Sequence, residues 1–171
     1  MSPQPLHHVR HVFVYGTLRR GEERDINRLK PAPRWVGHAS VVGTLHHLGA
    51  YPGLVLGGQG LVRGEVYEIT PELERQLDEI EEVWPQQSGE YIRREVLVAL
   101  DPPPDHRPPD GLADPSSNPL ADQPGYHLSQ PRQDGPGTVV CLLYEIAPGR
   151  IHGKPVILGG DWTQARAERR R

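Results

Sequence analysis

The chain has a single cysteine among its 171 residues, no long hydrophobic run and no strong excess of either charge. One thiol, Cys141, cannot form an internal disulfide, and its setting in Val139-Val140-Cys141-Leu142-Leu143 reads as a core strand rather than a nucleophile. No Cys/His/Asp spacing of the zinc type occurs, so no metal is expected. No stretch approaches the ~20 apolar residues of a membrane span, and Met1 to Arg10 lacks an apolar signal-like segment, so the expectation is a cytoplasmic protein without a membrane partner. The net charge of −3 provides no general field for nucleic acid. Only Arg166, Arg169, Arg170 and Arg171 are locally basic, and residues 164–171 read as a solvated, flexible tail. The chain is long enough for one domain with one core and short for two, so residues 1–171 are read as a single domain.

What is present begins with Val12-Phe13-Val14-Tyr15-Gly16-Thr17-Leu18-Arg19-Arg20-Gly21-Glu22. A β-branched, apolar run suits a buried strand, and Gly16-Thr17 permits a tight turn whose amides could face one ligand. Such an amide nest binds an anion without a charged side chain. The loop has neither the G-x-G-x-x-G spacing of dinucleotide binding nor the Gly-Lys-Ser/Thr ending of a P-loop. On the residues alone, a plain turn and an anion site both remain open.

Further strands are expected at His11–Tyr15, Ala39–Leu48, Leu61–Ile69, Arg94–Leu100 and Thr138–Ile146, with a short helix near Asp25–Lys30. A longer helix runs from Pro71 to about Glu82, with Thr70 as its cap and Glu72 and Glu74 at its positive end. Leu73, Leu77 and Ile80 form its buried stripe. At about 100° per residue, Glu81 falls about 40° from Leu77, on the flank of that stripe, while Asp78 and Glu82 point toward solvent. A carboxylate on that flank enters a half-buried pocket, where its pKa rises and it can exchange a proton near neutrality. Residues 101–137 hold ten of the nineteen prolines and few large apolar side chains. They read as a disordered surface insertion, with Tyr126 and Leu128 as its docking side chains, or as an arm for a protein partner.

Adjacent His46 and His47 face opposite ways in a strand and cannot chelate together. Tyr51-Pro52-Gly53-Leu54 reads as a turn. Trp35, Trp84 and Trp162 read as packing residues.

The Tyr15-Gly16-Thr17-Leu18 loop resembles the Tyr-Gly-Ser/Thr-Leu signature of the γ-glutamylcyclotransferase-like superfamily, which includes γ-glutamylamine cyclotransferase. Gly64-Glu65-Val66-Tyr67-Glu68-Ile69, Leu77-Asp78-Glu79-Ile80-Glu81 and Glu90-Tyr91-Ile92-Arg93-Arg94 resemble further elements of that family, in family order. Tyr51-Pro52-Gly53 and Gly160-Asp161-Trp162 also have counterparts. The resemblance covers residues 10–100 and 138–162. It implies an α+β fold, a mixed, mostly antiparallel barrel-like sheet with few helices. It implies a cofactor-independent conversion of a small γ-glutamyl amine or γ-glutamyl amino acid to 5-oxoproline, with Glu81 as the catalytic acid/base. The amides of Tyr15, Gly16, Thr17 and Leu18 would bind the substrate. Tyr91 would either donate a hydrogen bond at the pocket edge or pack in its strand, whereas Arg19 and Arg93 would be exposed or structurally paired rather than pair with substrate carboxylates. A monomer or weak homodimer is expected. The alternative is a non-catalytic carboxylate- or peptide-binding module on the same fold.

Overall fold

The computed structural model describes residues 9–81, 89–102 and 137–171. Among them the elements run β1 (Arg10–Val14), β2 (Arg34–His47), β3 (Pro52–Ile69), α1 (Pro71–Ile80), β4 (Tyr91–Leu100), β5 (Thr138–Ile146) and α2 (Trp162–Arg169). Short 3-10 turns occupy Ile26–Arg28 and Pro148–Arg150. The strands close into a barrel in the order β1-β3-β2-β4-β5. All neighbours are antiparallel except at the seam, where β1 meets β5 in parallel at Val12 and Leu142. This is the mostly antiparallel α+β barrel that the family resemblance implied. The insertion between Leu100 and Thr138, with Tyr126 and Leu128, lies outside the described residues apart from its ends, as do Glu82 and Trp84. No helix among the described residues is long and apolar enough to cross a membrane.

The uninterrupted apolar run of β1 follows from burial on both faces. Phe13, Cys141 and Leu143 point into the barrel with Val41, Leu45, Leu54 and Val66. Val12, Val14, Leu142 and Tyr144 point outward, under Leu73 and Leu77 of α1. Val12 to Val14, alternating between two dry faces, therefore hold no polar side chain, while the strand's less buried start carries Arg10 and His11. Gly64 makes the crossing possible, because a Cβ there would lie 2.4 Å from the Val14 carbonyl oxygen and 2.6 Å from the Phe13 ring.

Two expectations are corrected. Tyr51 to Leu54 is not simply a turn: β3 already begins at Pro52, and Pro52 to Leu56 pair with Gly43 to His47. Residues 57–60 form an excursion where the register jumps from Val42↔Leu61 to Gly43↔Leu56, so glycines interrupt the apolar pattern without ending the ladder. Residues 164–169, read as part of a flexible tail, are helical. Asp161 caps this helix by accepting from the amides of Thr163 and Gln164 at 3.0 and 3.3 Å, and Trp162 is buried in the barrel core.

Candidate active site

β1 delivers the Gly16 loop to one end of the barrel. A Cβ on Gly16 would sit 2.7 Å from Pro52 Cγ, so only glycine lets the loop pass the start of β3 this closely. Beyond it, the amides of Arg19, Arg24 and Ile26 donate to the carbonyls of Gly16, Thr17 and Leu18 at 3.1, 2.9 and 2.9 Å. These bonds engage the three carbonyls, and among the described residues none of the loop's turn or side-chain bonds is donated by the three corresponding amides.

The loop is held from below. Leu18 is buried with Ile26, Leu73 and Leu77. Glu65 of β3 accepts from the Arg20 amide at 3.0 Å, and buried Arg19 lies between Asp161 at 2.9 Å and Glu65 at 3.7 Å. Burial raises the Glu65 carboxyl pKa, opposed by the Arg20 amide and the Arg19 charge. Asp25 closes the far side, accepting from the amides of Gly21 and Asn27 at 2.8 and 2.9 Å. Burial raises the Asp25 carboxyl, but those amides outweigh it and hold it below its usual range.

The loop forms one wall of an open pocket of about 220 Å³. The other walls come from Tyr51 and Pro52, from Ile80 and Glu81 at the end of α1, from Glu90 and Tyr91 at the start of β4, and from Tyr144 of β5. All six residues singled out in the sequence therefore meet here: Tyr15, Gly16, Thr17, Leu18, Glu81 and Tyr91. Glu81 is half-buried as the C-cap of α1, with its amide donating to the Leu77 carbonyl at 2.9 Å.

Of the four phenols that line the pocket, three donate to acceptors in the strands and α1. Tyr15 donates to the Tyr144 carbonyl at 2.6 Å and accepts from the Leu54 amide at 3.3 Å. Tyr91 donates to the Pro52 carbonyl at 3.1 Å. Tyr144 donates to Asp78 at 2.6 Å. Burial raises the pKa of all three well above the usual phenol range, and the Glu81 charge pushes each further. They are neutral donors at any physiological pH.

Asp78 corrects a third expectation, for it is buried rather than solvent-facing. β4 and β5 pass under that flank of α1, so the carboxylate accepts from Tyr144 and from Arg93 at 2.7 Å, while Arg93 also pairs with Glu74. Of the readings open for Arg19 and Arg93, the structure places both in ion pairs within the fold. Burial pushes the Cys141 thiol up to about 12, which makes it a core residue. Among the described residues no group of three or more His, Cys, Asp or Glu side chains is placed to hold a metal ion.

Sequence reasoning missed Arg24, Tyr144 and the tethering role of Glu65. Glu65 stood in a quoted motif, so its signal was present. Arg24, one arginine in a polar loop, gave none.

Residues 12–113 match the family described as Gamma-glutamyl cyclotransferase, AIG2-like, and the chain belongs to that family. The Gamma-L-glutamyl-butirosin B gamma-glutamyl cyclotransferase of Niallia circulans is 46% identical over 72 residues, which is 42% of this chain and 45% of that protein. A Vibrio cholerae protein is 41% identical over 80 residues, covering 42% of this chain and 62% of its own length. The chain therefore spans less than two thirds of either curated relative. The solved structure of an AIG2-like protein from Mus musculus shares the fold, with a TM-score of 0.55 and 25% identity over 85% of this chain and 84% of that one.

Proposed function

We propose that the chain is a γ-glutamyl cyclotransferase that converts a small γ-glutamyl amine or γ-glutamyl amino acid into 5-oxoproline and the free amine. The observation that carries this reading is the meeting of the Gly16-Thr17-Leu18 amides and Glu81 in one pocket. The amides hold the α-carboxylate of the glutamyl group and face the oxyanion that develops on its γ-carbonyl. Glu81 takes a proton from the α-ammonium, freeing the nitrogen lone pair to attack the γ-carbonyl carbon. A new C–N bond closes the five-membered ring, and the tetrahedral intermediate collapses by breaking the bond to the leaving nitrogen. Glu81 returns the proton to that nitrogen and then passes on the second proton, which the new ring nitrogen sheds, so the amine leaves as an ammonium, Glu81 ends as the carboxylate it began as, and neither water nor an electron carrier is consumed.

Holding the glutamyl chain folded supplies an effective molarity of about 10⁵–10⁸ M, and a positioned acid/base adds about 10²–10⁴-fold. Tyr15 and Tyr91 stay neutral and do not compete with Glu81 for the proton, Glu90 is engaged by the Tyr51 hydroxyl, and Tyr91, bound to the Pro52 carbonyl, keeps the pocket edge in place. The enzyme acts as a monomer or weak homodimer on a free small molecule.

The test is 5-oxoproline release from γ-glutamyl amino acids, γ-glutamyl-ε-lysine and glutathione. Release from at least one, falling about 10²–10⁴-fold in Glu81→Gln with an unchanged melting temperature, is the expected result. Ligand binding without release from any of them would instead mark a carboxylate-binding module.

A further inference from the structure

One cation in the pocket takes no part in the reaction just described. Arg24 lies on the pocket wall, and its backbone amide, bonded to the Thr17 carbonyl at 2.9 Å, fixes it beside the amide loop. The other arginines nearby are engaged: Arg19 with Asp161 and Glu65, Arg93 with Asp78 and Glu74, Arg166 with Glu22. Among the described residues Arg24 has no ion pair, and its side chain is exposed at the mouth. Across the mouth the Tyr51 hydroxyl donates to Glu90. That hydrogen bond raises the Tyr51 phenol, and the charges of Arg150 and, after it, Arg24 oppose the rise.

We infer that Arg24 is a specificity-determining residue, pairing with a carboxylate on the departing amine and favouring γ-glutamyl amino acids over γ-glutamyl amines that lack one. The inference rests on the cyclotransferase reading above. With the glutamyl α-carboxylate on the Gly16-Thr17-Leu18 amides, the leaving half of the substrate extends toward the mouth. A carboxylate there faces Glu81 and Glu90, and among the residues that line the pocket Arg24 is the cation that can attract it. Arg24 carries donors suited to a bidentate carboxylate contact, weakened by its exposure to water.

The experiment compares γ-glutamyl-alanine with γ-glutamyl-ethylamide, which differ only by that carboxylate. Native protein, Arg24→Gln and Arg24→Lys are assayed for 5-oxoproline, with circular dichroism confirming their fold. The expected result is a five- to tenfold fall in the preference for γ-glutamyl-alanine in Arg24→Gln. It is carried by KM, partly restored in Arg24→Lys and smaller at high salt. A preference ratio that stays the same in Arg24→Gln, whether both substrates suffer or neither, overturns the inference while leaving the cyclotransferase reading intact. No release from either substrate, nor from the wider panel, by the native protein overturns the reading beneath it.

Discussion

Asp78 and Glu81 sit three residues apart on one helix and have opposite environments. Asp78 is enclosed and accepts from Tyr144 and Arg93, whereas Glu81 opens onto the pocket. Asp78→Ala leaves the buried Tyr144 hydroxyl without its acceptor, and a loss of about 1–3 kcal/mol is expected from urea denaturation midpoints. Glu81→Gln is expected to spare those midpoints and remove turnover. Helical angles separated Glu81 from its acidic neighbours but put Asp78 on the wet side, because the strands that cover it are remote in sequence. His47 adds a pH dependence. Its Nδ1 accepts from the Gly49 amide at 3.1 Å, which requires the neutral ring, and burial, then the Arg169 charge, lower its pKa below the usual 6.5. The unfolded chain binds the proton more readily, so stability present above about 6.5 is lost as pH falls through the lower folded value. Urea midpoints should drop between pH 7.5 and 5.5, and the drop should shrink in His47→Gln.

Among the elements, β5 was legible to its ends and β1 nearly so, since both carry compact apolar runs bounded by polar residues. The Thr70 cap was legible too, and its hydroxyl accepts from the Leu73 amide at 3.2 Å. β3 was half seen because Gly57, Gly58 and Gly60 break its pattern, and continuation of the ladder depends on β2 rather than on local preference. α2 was missed because its helix presents little apolar surface and its one anchor, Trp162, lies at the first turn. Its start was written in Asp161, whose carboxylate serves the helix amides and Arg19 together. Asp161→Ala is expected to cost about 1–2 kcal/mol in thermal or chemical melts, as for a lost helix cap. Further loss would come from uncoupling Arg19 and the Gly16 loop.

At the scale of the whole molecule, the barrel depends on bringing β4 and β5 together across residues 101–137. Loop closure becomes only slowly more expensive with length, so removing residues 105–133, which shortens the connection about four- to fivefold, should stabilise the protein by only about 1 kcal/mol. Urea denaturation of the shortened chain checks this, and a destabilised protein would mean that the removed residues add contacts of their own. The site's position was legible as a loop and an acid in sequence, but its walls were not. They come from the starts of β3 and β4 and from β5, brought together only by closure of the sheet.

The parallel seam between β1 and β5 has a consequence in time. During synthesis the strand at Arg10–Val14 emerges early, and β3 can cover one of its sides. Its other side waits for Leu142, after nearly all the intervening chain has been made. Until then a nascent chain carries a bare, apolar strand edge, the kind of surface on which chains stick to one another. Protection from that hazard arrives in a single late event, the docking of β5.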